Sequence, residues 1–192
     1  MNVLLDPFPV ELDVAGESAA IDADFRTAIR ILLAFDDPEL AEAEKRAVAC
    51  GLLYERLPGD RAEAYRQLVW FLNRGRDAEA QGAKGGGAPY SWEHDAPYIY
   101  TAIRQTYGVD LETTPFLHWW KFLNMFLDLG ECFFSRILYY RAQRKAGKLT
   151  PEERRAVAGM RDVIDIPTRL TAGEQAELDE FERALDGEKE PV

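Results

Sequence analysis

Residues 114–129 read Thr-Pro-Phe-Leu-His-Trp-Trp-Lys-Phe-Leu-Asn-Met-Phe-Leu-Asp-Leu, and the way this stretch folds decides the architecture. Thr114-Pro115 has the form of a helix start, because a threonine can cap the first free amides and proline in the first turn lacks only an amide that would be orphaned anyway. In the helix that follows, Phe116, Trp119, Trp120, Phe122, Leu123, Phe126, Leu127 and Leu129 leave a narrow polar stripe through His118, Lys121, Asn124 and Asp128. A helix apolar over most of its girth either lies at the centre of a bundle or docks against a partner.

Moving outward, helical patterns dominate both flanks. Upstream, Val10-Glu11-Leu12-Asp13-Val14 alternates apolar with acidic residues, Ala15-Gly16-Glu17-Ser18 offers turn chemistry and Ala19-Ala20-Ile21 can return, which predicts a small hairpin over about 8–21. Asp22 or Asp24 then caps a helix whose Phe25, Ile29, Leu32 and Leu33 share a face. Asp37-Pro38 restarts the chain into a second helix reaching about Tyr54, and Asp60 caps a third that turns Ala64, Leu68, Phe71 and Leu72 inward as far as Gly75. Residues 76–89, with Gly85-Gly86-Gly87, are too glycine-rich to order themselves by burial and are expected to form a flexible loop.

Downstream of that loop, Asp95-Ala96-Pro97 opens a helix through Ile99, Ile103 and Tyr107 that Gly108 stops. After the aromatic helix, Cys132, Phe133, Ile137, Leu138 and Tyr140 continue the core into a helix that turns basic at Arg141, Arg144 and Lys145, where cations suit a helix C-terminus. Thr150-Pro151-Glu152-Glu153 has capping-box spacing, Thr171–Glu174 repeats it before an amphipathic helix of Leu178, Phe181 and Leu185, and residues 186–192 are expected to be a disordered acidic tail. The expectation is a mainly α fold, a helical bundle of about seven to eight helices with a small N-terminal β-hairpin, forming a single helical domain over residues 1–185.

Composition narrows the function classes. The chain has 192 residues, 47% of them hydrophobic, enough for one core. Acidic side chains outnumber basic ones 34 to 23, so phosphate backbones and anionic lipid are repelled, and neither nucleic acid nor membrane is expected as a partner. No stretch approaches the roughly 18 apolar residues that span a bilayer, and Met1–Pro7 lacks the basic and apolar regions of a secretory leader, which predicts a cytoplasmic protein. Cys50 and Cys132, far apart within helical patterns, read as reduced thiols.

Signals for catalysis are weak. Glu93-His94-Asp95 offers metal-ligand and general-base chemistry by composition, but consecutive residues do not share a helix face and no HExxH or CxxC supports them. His118 would need Cys132 or a distant acid to form a reactive group. The glycine run lacks the Gly-Lys-Ser/Thr end of a phosphate loop, Gly147-Lys148-Leu149 also fails it, and no G-x-S-x-G is present. No enzyme activity, cofactor or metal is expected. The concentrated feature is aromatic: rings crowd residues 90–140, each burying on the order of 150–250 Å². Most serve packing, while a remainder could anchor an interface.

Several strings together resemble a known family: Asp24-Phe25-Arg26-Thr27 after a hairpin, Leu68-Val69-Trp70-Phe71 closing with Arg74-Gly75, Tyr90-Ser91-Trp92-Glu93-His94-Asp95-Ala96-Pro97-Tyr98-Ile99-Tyr100, Tyr107-Gly108-Val109-Asp110-Leu111, Leu117-His118-Trp119-Trp120-Lys121-Phe122 and Tyr140-Arg141. In that order, over roughly residues 1–170, they resemble the bacteriophage gene-product-fifteen family, encoded among the tail genes of long-tailed phages and prophages. The resemblance implies a tail assembly protein in the host bacterial cytoplasm, with a non-catalytic chaperone for the tape measure protein as the favoured role and a structural minor tail component retained in the virion as the alternative. Phage tail proteins are the implied partners, and a homo-oligomer is left open. The excess apolar girth of the aromatic helix places the expected partner contact at Trp119, Trp120, Phe122 and Phe126; full burial of Trp119 and Phe122 would contradict that placement.

Overall fold

A computed structural model describes residues 4–76 and 88–187. Nearly all of the expected glycine-rich loop, 76–89, and residues 188–192 of the expected tail lie outside the described residues; Asp186 and Gly187 belong to the last helix. The chain is mainly helical with a small two-stranded hairpin at its N-terminal end.

β1 (Glu11–Val14) pairs antiparallel with β2 (Glu17–Ala20), Val14 opposite Glu17. The two turn residues, Ala15 and Gly16, both have positive φ, the geometry that matches the right-handed strand twist. The alternation works as expected: Leu12, Val14 and Ala19 are buried while Glu11, Asp13 and Glu17 face water.

α1 (Phe25–Phe35) starts at Asp24, whose carboxylate accepts from the Arg26 amide at 2.9 Å. Its buried face is Phe25, Thr27, Ala28 and Ile31, rotated from the expected one, so that Ile29, Leu32 and Leu33 are only half-buried. α2 (Glu42–Leu53) begins four residues later than expected. Asp37 accepts from the Glu39 amide in a tight turn, and Glu44 reaches back to the Ala41 amide to start the helix. α3 (Arg61–Leu72) is capped by Asp60 and buries Ala64, Leu68, Phe71 and Leu72, as the spacing predicted. The Tyr54 hydroxyl, buried at the end of α2, donates to the Ala64 carbonyl at 2.8 Å and joins the two helices.

α4 (Ala96–Tyr107) ends at Gly108, whose left-handed φ of 68° closes the helix. α5 (Trp119–Leu127) is the aromatic helix, and it starts four residues beyond Pro115. Thr114 instead closes a turn onto the Asp110 carbonyl, and in the non-helical residues that follow the Leu117 carbonyl accepts from the Phe25 amide while the Leu117 amide donates to the Asp24 carboxylate. α6 (Phe133–Lys145), α7 (Pro151–Ala158), the four-residue α8 (Arg161–Ile164) and α9 (Ala172–Gly187) complete the order. The capping boxes at Thr150–Glu153 and Thr171–Glu174 both form. One hydrophobic cluster runs from the hairpin to Phe134, and a smaller one joins Ile137, Val157 and Ile164.

Between those clusters lies an ion pair. Asp95 is fully buried, and its two oxygens receive Arg141 Nη1 at 2.6 Å and Nη2 at 2.8 Å. Arg141 also donates Nε to the Ile164 carbonyl at 2.8 Å, Nη2 to Val163 at 2.8 Å and Nη1 to Pro89 at 3.1 Å. All five guanidinium donors are thereby used, and the Ser91 amide adds a further bond to Asp95. This corrects two expectations. Asp95 does not cap α4 with its side chain, and Arg141 is not a solvated cation: its burial turns α6 so that Phe134, Ile137 and Arg141 face inward and Phe133 is left 45% exposed. Removing one partner of such a pair strands a buried charge, so Asp95→Asn and Arg141→Met should each lower the unfolding free energy by about 3–5 kcal/mol, and the double variant by less than the two together. Urea unfolding measures this. Losses below about 1 kcal/mol would put the pair with weak surface bridges instead.

Candidate partner-binding surface

The four residues expected to touch a partner are interior. Trp119, Trp120, Phe122 and Phe126 are 2%, 1%, 1% and 6% exposed. The placement of the contact on them is therefore corrected: the girth of α5 is apolar because other elements surround it. Trp119 Nε1 donates to the Leu72 carbonyl at 3.0 Å and Trp120 Nε1 to the Phe71 carbonyl at 2.7 Å, so the two indoles bond the last carbonyls of α3, that of Phe71 also accepting from the Arg74 amide. Phe25 stacks on Phe122 at 4.7 Å, and Trp92 packs against Phe126 at 4.9 Å. Gly75, at φ 74°, approaches so closely that a Cβ there would lie 3.0 Å from Trp120 and 3.1 Å from Trp70. On the outer side, Asn124 accepts from Arg74 at 2.7 Å and Lys121 faces water.

His118 is the N-cap of α5. Its Nδ1 accepts from the Trp120 amide at 3.0 Å and its Nε2 lies 3.0 Å from the Pro9 carbonyl, which assigns the proton of the neutral ring to Nε2. The other residues weighed for chemistry do not converge. Glu93 pairs with Arg169 at the surface, Asp95 is consumed by Arg141, and His94 Nε2 lies 3.4 Å from the Val163 carbonyl. Cys132 caps α6, its sulfur accepting from the Ser135 amide at 3.4 Å. Both cysteines are free thiols, and among the described residues no group of three or more histidine, cysteine, aspartate or glutamate side chains could hold a metal ion. No helix among them is long and apolar enough to cross a membrane.

A different surface has the form of a binding groove. Between α2 and α3 lies an open cleft of about 490 Å³ lined by Ala43, Ala47, Cys50, Leu57, Ala62 and Tyr65, with Arg46 and Arg61 at its edges. Ala43 and Ala47 follow at i, i+4 on α2 and line the cleft together with Ala62 of α3, so the groove exists where side chains are short. The Arg46 guanidinium sits 5.1 Å from the centre of the Tyr65 ring, which holds it at the wall. Burial pushes the Cys50 thiol up, with Arg61 opposing, so this sulfur stays protonated and belongs to the apolar floor. Helix-in-groove recognition uses apolar channels of this general kind. In a sequence, alanines at i, i+4 look like ordinary helix formers; the usable signal is the Arg46 that shares the α2 face with Ala43.

A family model for bacteriophage Gp15 protein matches residues 4–166, most of the chain. The chain belongs to the bacteriophage Gp15 family. Membership places it with the structural and assembly proteins of phages. The matched region of this Gp15 family member takes in the hairpin, the α2–α3 cleft, the aromatic helix and the Asp95–Arg141 pair, and ends just beyond α8; α9 lies outside it. No curated protein and no solved structure gives a significant match.

The His118 contacts make stability pH-dependent. Burial holds its imidazole below the ordinary 6.5, with the Pro9 carbonyl opposing. Between the depressed folded value and 6.5 the unfolded chain binds more protons, so this contribution is complete above 6.5 and is lost as pH falls through that window. His118→Asn keeps an acceptor for the Trp120 amide but does not titrate. Wild type should therefore lose stability relative to this variant as pH is lowered from about 8 to about 5 in urea unfolding; parallel profiles would contradict the assignment.

Proposed function

We propose that this Gp15 family protein is a non-catalytic tail assembly chaperone that holds apolar helical segments of the tape measure protein in the α2–α3 cleft. The observation that carries the reading is the cleft itself: an alanine-floored channel with arginine edges on a protein of net charge -11. Tape measure proteins are long helices with apolar stripes that would aggregate before a tail tube encloses them. A groove floored by alanines lets a helix approach closely, the arginines can meet carboxylates flanking its stripe, and the strongly acidic remainder keeps the complex soluble. The rigid aromatic interior supports this role, since a surface held by a packed core changes little on binding. Membership of a phage structural and assembly family supports it as well.

Co-expression with the tape measure protein of the same gene cluster, followed by light-scattering chromatography, tests the proposal. A soluble stoichiometric complex is expected where the partner alone is insoluble. Ala47→Glu fills the cleft and places a carboxylate among apolar atoms at an exposed helix position. It should abolish the complex while changing folding stability by no more than about 0.5 kcal/mol. A complex that survives this substitution would move the site elsewhere, and stoichiometric recovery of the protein in purified virions would favour a structural tail component instead.

A further inference from the structure

The charge of this acidic chain is unevenly distributed. Residues 141–161 hold seven basic and two acidic side chains, whereas α9, residues 172–187, holds six acidic and one basic. The basic region carries a second cleft, of about 340 Å³, between the end of α6, α7 and α8. Its floor is Leu149, Val157 and Ala158, and its edges are Arg144, Arg154 and Arg161, with no carboxylate in the lining. Arg144 pairs with Asp165, while Arg154 and Arg161 are exposed and, among the described residues, engage in no salt bridge. Glu152, Glu153, Asp162 and Asp165 are the acidic residues of 141–165, four against seven basic ones, so the guanidiniums are not fully neutralised by their neighbours.

α9 has the complementary charge. Residues 172–180 are all exposed, Leu178 among them. In sequence, Leu178, Phe181 and Leu185 fall at helical spacing with acidic residues on either side. Helices of this length draw most of their stability from burying an amphipathic face. The root of the helix is held against α1 and the residues before α4. Arg169 binds Glu93 at 2.6 Å and the Leu33 carbonyl at 3.2 Å, and the Ala172 amide bonds to Glu39.

We infer that α9 of one copy docks into the Arg144–Arg154–Arg161 cleft of a second copy, its apolar stripe on the accessible Leu149 and Ala158 and its carboxylates on the guanidiniums. Exchanged reciprocally, the two helices form a closed two-fold dimer with identical contacts. This surface is separate from the α2–α3 cleft, so the inference does not depend on the tape measure reading.

Light-scattering chromatography of the full chain at tens of micromolar provides the test. At low salt the mass should be twice the 21.8 kDa of one chain, and it should fall toward one chain as salt screens the charges. Leu178→Glu with Phe181→Glu removes the stripe, and Arg154→Glu with Arg161→Glu reverses the cleft. Each variant should be monomeric alone with an unchanged circular dichroism spectrum. Mixing the two should restore a heterodimer, since one intact helix then meets one intact cleft. A monomeric wild type at low salt, a dimer that persists in either variant, or a mixture that stays monomeric would each overturn the inference.

Discussion

The bidentate pair between Asp95 and Arg141 constrains the rest of the molecule more than any other contact. It lies between two hydrophobic clusters and gathers four stretches: Pro89–Ser91, the start of α4, the middle of α6 and the carbonyls closing α8. A buried pair of this kind is worth little against a well-packed apolar substitute, but it is specific, because only one arrangement of the four stretches satisfies both oxygens and all five donors. The rotation of α6 follows from it. So does the position of Trp92, three residues before Asp95, whose ring packs on Trp119, Phe122 and Phe126.

From that junction the aromatic helix is enclosed step by step. On one side, the non-helical residues 115–118 are bound to the backbone of Ala23–Phe25, and Arg26 donates to the carbonyls of Leu111 and Thr114 at 2.6 and 2.8 Å while pairing with Asp24. On another, α3 presents its terminal carbonyls to the two indoles. A helix held this way by hydrogen bonds and stacked rings keeps its aromatic faces inside and leaves only the Lys121–Asn124–Leu127 side to water. Recognition passes instead to surfaces built from short side chains and arginines, and a stiff core behind them is an advantage, since little ordering free energy is lost on binding.

Much of this fold was legible in the chain. The hairpin showed in the alternation of Leu12 and Val14 with acids, α3 in the spacing of Ala64, Leu68 and Phe71, and the starts of α7 and α9 in their capping boxes. Two helix starts differ from the sequence expectation for one reason: Asp37-Pro38 and Thr114-Pro115 suit a tight turn as well as a first helical turn, and local bonds, from the Glu39 amide to Asp37 and from Thr114 to the Asp110 carbonyl, close the turn. The face of α6 was hidden because an arginine counts as exposed in any hydrophobic pattern until its partner, 46 residues away, is known. Both halves of that pair stood within strings resembling the family, but nothing in one sequence joins Asp95 to Arg141. For the binding surface, periodicity distinguished neither a central helix from a docked one nor a groove from an alanine-rich helix face.

The central claim is that the aromatic helix is permanent core and that partners meet the protein at α2 and α3. Hydrogen exchange, measured on the free protein and on its complex with the tape measure protein, tests it most directly. The account predicts that amides of residues 119–127 exchange at the slow rate of global unfolding in both states, and that protection is gained across 43–65. Fast exchange of 119–127 in the free protein, with protection there on binding, would contradict it.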